Sequence, residues 1–97
     1  MSIEEWRRGI DAIDAVLVRL LNERARLACR VGETKQVAGL DLRDPDRERE
    51  VLDNALRNND GPLHPEAVER LFRVILSESR RFQAETGPNG KTRVNGR

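Results

Sequence analysis

The 97-residue chain has a single cysteine, no tyrosine, two phenylalanines and one tryptophan. One cysteine excludes an internal disulfide framework. Because Cys29 lies inside an apolar helical stretch, a buried, inert thiol in a reducing compartment is expected rather than a nucleophile. Aromatics at 3% of the chain, beside many Leu, Ala, Glu and Arg, favour helices over a β-sandwich or barrel. No apolar run is long enough to span a bilayer, and the opening Met1-Ser2-Ile3-Glu4-Glu5-Trp6 has neither a basic nor an apolar signal region, so a cytoplasmic protein with no membrane partner is expected. Charge of one sign is lacking as well. Eighteen Lys plus Arg against seventeen Asp plus Glu leave +1, without the broad basic footprint of a nucleic-acid binder. His64 is the only histidine, no Cys/His cluster offers a metal site, and no glycine-rich loop could cradle phosphates. Nucleophilic catalysis by Ser, Cys or His is disfavoured.

What remains is an all-α pattern of three helices, one very long. Ile3, Trp6, Ile10, Ile13, Leu17, Leu20, Arg24, Leu27 and Val31 recur at alternating spacings of three and four, the seam of a helix packed along its length. It predicts a first helix from about residue 3 to about residue 38, roughly 54 Å long at 1.5 Å per residue. A 100-residue domain has a radius of gyration of only about 13 Å, so one chain cannot cover such a seam, and pairing with a second copy is expected. Gly39 to Arg43 supplies the stop and the loop. Asp44 and Pro45 then mark a second helix as N-cap and first helical residue, with Val51, Leu52, Ala55 and Leu56 as its apolar face. It ends in Asn58-Asn59-Asp60-Gly61-Pro62. A third helix opens near His64-Pro65, with Val68, Leu71, Phe72, Ile75 and Leu76 expected on its buried face, and closes at Gly87-Pro88. Residues 1–86 are therefore expected to form one domain and 87–97 a disordered tail.

The seams are interrupted by particular polar side chains. Arg24 occupies a seam position between Leu20 and Leu27, where a buried guanidinium must be paired. A purely structural reading pairs it with Glu23 or Glu48. Lys35 follows eleven residues later, within about 20° of the same helix face and roughly 16 Å along it. On the third helix the row Phe72, Leu76 runs on into Ser79 and Gln83. Each alone reads as a hydrated helix end; polarity on both seams instead suggests a shared pocket. Arg7 lies roughly 26 Å from Arg24 along one helix, and an exposed pair with Asp11 is its simplest reading. An antiparallel copy about a two-fold axis would bring Arg7 to the pocket of the other chain. Arg47 and Glu48, in the first turn of the second helix, have an equally plain reading as helix-terminal residues.

Taken together, Arg7-x-x-Ile10-Asp11-x-Ile13-Asp14, Glu23-Arg24, Val31-Gly32-x-x-Lys35, Asp44-Pro45-x-Arg47-Glu48 and Leu71-Phe72 followed by Ser79-x-x-x-Gln83 closely resemble the all-helical chorismate mutase family, over residues 3 to about 85. No single element is specific; their order and spacing along three helices is. The resemblance implies an intertwined homodimeric helical bundle with shared active sites and no cofactor. It also implies the Claisen rearrangement of chorismate to prephenate, toward phenylalanine and tyrosine. It assigns Arg24, and Arg7 from the other chain, to the substrate carboxylates with help from Arg47 and Ser79. Lys35 and Gln83 go to the ether oxygen, and Asp44 and Glu48 to the ring hydroxyl. Trp6, where a smaller aliphatic would serve, and the tail after Gly87 depart from it without touching this chemistry. The same fold hosts isochorismate-pyruvate lyases, against which Asp44 and Arg47-Glu48 weigh. A non-catalytic dimerisation module, in which Arg24 only sets register, is the alternative from another class. Control through a further protein and fusion to a larger enzyme stay open.

Overall fold

The computed structural model describes residues 2–86; the tail expected at 87–97 lies outside them. The chain runs α1 (Ile3–Val37), α2 (Pro45–Arg57) and α3 (Pro65–Thr86), and among the described residues there is no strand. Local chemistry sets each boundary. Ser2 opens α1 with a capping box, its hydroxyl accepting the Glu5 N–H while the Glu5 carboxylate accepts the Ser2 N–H, which satisfies donors that the first turn leaves unpaired. At the other end Gly39 adopts φ +75°. The Gly39 and Leu40 N–H groups turn back onto the Gln36 and Lys35 carbonyls, a closure that needs a left-handed residue and so glycine. The helix therefore stops two residues after Lys35. Asp44 caps α2, its side chain accepting the Arg47 N–H, and Pro45 takes the first helical position.

α3 packs against both α1 and α2. The principal extents are 55 × 33 × 14 Å, and 14 Å is little more than one helix diameter of about 10–12 Å. A layer one helix thick buries little: among the described residues the buried hydrophobics are Val51, Val68 and Leu76. The α1 seam faces outward, with Trp6 56% and Ile13 66% exposed and Ile3, Ile10, Leu17, Leu20, Leu27 and Val31 likewise open. That is the uncovered seam expected from helix length. Among the described residues no helix is long and apolar enough to cross a membrane.

Two expectations need correction. Leu71 is 55% exposed, not buried, because α3 turns Val68 and Leu76 inward with Phe72 and Ile75 half-buried beside them, which leaves Leu71 and Val74 on the flank. Cys29 is half-buried rather than buried, and its thiol points 3.8 Å from Glu33 Oε2.

Candidate active site

The polar ends of the α1 and α3 seams meet opposite the start of α2 and flank a half-open cavity of about 310 Å³. Arg24, Lys35, Asp44, Arg47, Glu48, Ser79 and Gln83 all line it, among the apolar side chains Leu27, Val31, Leu42, Val51 and Leu76. Arg7 does not line it, since it sits near the opposite end of the 35-residue α1. Nor does Arg7 pair with Asp11: among the described residues it makes no ion pair.

Each side chain is held by an identifiable partner. Arg24 Nη1 donates to Ser79 Oγ at 3.0 Å, tying α1 to α3. No carboxylate compensates it among the described residues, so the expected structural pairing with Glu23 or Glu48 does not form. Burial, and after it the like charge of Arg47, lowers the Arg24 pKa from its ordinary value, although arginine stays protonated in proteins. Two cations thus face one cavity, and Arg24 has no carboxylate of its own there, an arrangement that an entering anion would satisfy. Arg47 reaches Glu50 at 2.9 Å in an exposed pair, a contact of little energetic weight.

The acidic side of the cavity is equally ordered. Asp44 Oδ2 lies 3.4 Å from Lys35 Nζ, and Oδ1 accepts the Arg47 N–H at 3.1 Å. That backbone hydrogen bond, with the Lys35 hydrogen bond and charge and the Arg47 charge, holds the Asp44 carboxyl below its usual value against an opposing contribution from desolvation. Glu48 accepts from Arg80 Nη1 across the α2–α3 contact. Gln83 Nε2 donates to the Ala28 carbonyl at 2.6 Å, so its amide is oriented by chemistry, because a carbonyl can only accept. Sequence reasoning missed Arg80 and Leu42. Arg80 follows Leu76 by four, so the row Phe72, Leu76, Arg80 carried a signal; Leu42 sits in the α1–α2 loop, where no periodicity marks it. Among the described residues no group of three or more His, Cys, Asp and Glu could hold a metal ion.

Three cations, two carboxylates and apolar side chains thus line one cavity within an all-helical chain, a lining suited to a small anion. The chain belongs to the chorismate mutase type II family, whose model matches residues 6–84. It is 44% identical over 80 residues to a bifunctional chorismate mutase/prephenate dehydratase of Aquifex aeolicus, a match covering 78% of this chain and 22% of that protein. It is 47% identical over 72 residues to the protein of the same description in Neisseria gonorrhoeae, covering 74% of this chain and 19% of the relative. The chain thus spans about a fifth of the length of these relatives. Among solved structures, a chorismate mutase of Thermus thermophilus superimposes with TM-score 0.84 at 32% identity, covering 87% of this chain and 96% of that one.

Proposed function

We propose that this chain is a cytoplasmic chorismate mutase, converting chorismate to prephenate as a homodimer, with residues 1–86 as the catalytic domain. The observation that carries the reading is the convergence of Arg24, Lys35, Asp44, Arg47, Glu48, Ser79 and Gln83 on one cavity.

The reaction is unimolecular: a C–O bond breaks as a C–C bond forms within one molecule, so no nucleophile or external electron carrier is called for. The protein must hold the compact, chair-like conformer and put donors where negative charge grows on the ether oxygen. In this reading Arg24 grips one carboxylate through two parallel hydrogen bonds, helped by Arg47 and Ser79. Arg7 of a second copy takes the other carboxylate. Lys35, a mobile point charge, and Gln83, a fixed neutral donor, serve the ether oxygen. Asp44 and Glu48, each beside a cation, help hold the ring hydroxyl. The exposed α1 seam supports the dimer, since two copies packed along it would cover the apolar row that one copy leaves open.

The test is to supply chorismate and isochorismate separately to the purified chain and to identify the products, with Arg24→Ala as control. Prephenate from chorismate, lost in the control, is expected. Salicylate and pyruvate from isochorismate would transfer the assignment to the lyase reaction. No turnover of either would leave only a dimerisation module.

A further inference from the structure

Gly32 is the one residue of α1 that is buried among those described, and it stands where glycine is costly, since a glycine inside a helix is less stable than alanine. Its φ is not in the left-handed region, so conformation does not call for it. Space does. A Cβ built on Gly32 would stand 3.1 Å from Gln83 Cγ, 3.3 Å from its Cβ and 3.4 Å from its Cδ. The Gln83 stem therefore lies directly across the bare Gly32 backbone, and its Nε2 reaches the Ala28 carbonyl one turn earlier at 2.6 Å. In the helical ladder that carbonyl also accepts the Gly32 N–H, so it is the missing side chain at Gly32 that opens the approach.

We infer that Gly32 is a positioning residue for the reaction: a notch in α1 that seats Gln83 with one amide hydrogen anchored on Ala28 and the other free for the cavity. The inference rests on the reading of Gln83 as the donor to the ether oxygen. An amide nitrogen carries two hydrogens; with one committed to Ala28, the second has a fixed direction, and a preorganised donor costs no reorganisation when charge develops. Gln83 Cβ is fixed by the α3 backbone, so an alanine at 32 cannot be accommodated by rotation of the amide end alone. Either α1 and α3 separate by a few tenths of an ångström, which shifts the amide within the cavity, or the Gln83 stem leaves the notch, which detaches the amide from Ala28; both move the free amide hydrogen from its place.

The test compares the parent with Gly32→Ala, Gln83→Ala and the double variant, measuring kcat and KM on chorismate and the thermal midpoint of each. Because alanine is the better helix former, Gly32→Ala is expected to melt within a few degrees of the parent while kcat falls about tenfold, KM changing little. Gln83→Ala is expected to lose more, and the double variant to be no slower than Gln83→Ala. Full activity in Gly32→Ala beside an impaired Gln83→Ala would overturn the notch alone, as would a double variant whose losses multiply. Full activity in Gln83→Ala would instead overturn the role given to Gln83, and the notch with it.

Discussion

Replacing Arg24 with leucine is expected to separate stability from turnover. The side chain makes one hydrogen bond, from its charged guanidinium to Ser79 Oγ at 3.0 Å, a contribution of about 1.5–3 kcal/mol. Against it stand the desolvation of a half-buried cation and the like charge of Arg47. Leucine removes all three and restores the apolar seam between Leu20 and Leu27, where burial by a second copy would add about 1.5–3 kcal/mol. The balance is near zero or favourable, and one kcal/mol is about 4–8 °C in a chain of this size. The melting temperature should thus hold or rise by several degrees. Turnover should collapse, because two charge-assisted hydrogen bonds to a carboxylate at about 1.5–3 kcal/mol each amount to roughly 10²- to 10⁴-fold in kcat/KM. The assay pairs thermal melts by circular dichroism with chorismate consumption at several substrate concentrations. Activity within tenfold of the parent would refute the anion-receptor argument; a melting point lowered by ten degrees or more would refute the claim that the fold carries Arg24 at no gain.

Three further outcomes are expected. Gln83→Glu should be weakly active at neutral pH and recover as pH falls, because a carboxylate beside the Ala28 carbonyl must bind a proton before it can donate; a flat pH profile would remove Gln83 from the donor role. The lowered Asp44 pKa means that the unfolded chain takes up that proton first, so Asp44 adds stability above its unfolded value, near pH 3.9, and loses it as pH falls through the lower folded value. Asp44→Asn keeps a good cap but not the charge, and should melt slightly below the parent at pH 7 with the gap closing below about pH 4; a gap constant down to pH 2 would contradict this. Arg7→Ala and Lys35→Ala, each inactive alone, should regain about a quarter of parental activity when equimolar chains are unfolded and refolded together, since half the dimers are mixed and each has one intact site; no recovery would place Arg7 outside the site.

Much of the fold was legible because its boundaries rest on local chemistry. The expected first helix, 3 to about 38, and the observed Ile3–Val37 differ by a residue, since the Ser2 cap and Gly39 act within one turn of the ends they fix. The Asp44-Pro45 start of α2 was readable for the same reason. The cavity was readable because Arg24 with Lys35, and Ser79 with Gln83, share a helix face by periodicity alone. Side-chain partnerships were not. Glu48 takes Arg80 rather than Arg24, and the choice depends on the rotation of α3 against α2, which spacing within either helix does not encode. The same rotation exposes Leu71, and the value of Gly32 is visible only once Gln83 lies across it.

α1 joins these observations into one physical argument. A 35-residue helix is roughly 52 Å long, far more than α3 can cover, and its open row begins beside Arg7 and ends beside the cavity. An antiparallel copy would close the apolar row and carry Arg7 toward the cavity of its partner in the same movement. In the proposed dimer, burial of that row supplies the driving force and the guanidinium delivered at its end supplies the second anion grip. Stability and catalysis would then share one interface, so that a chain dilute enough to dissociate loses its apolar cover and the grip on one carboxylate together. An exposed seam that would be a liability in a monomer is, on this reading, what allows so short a chain to assemble a site with cations on two sides.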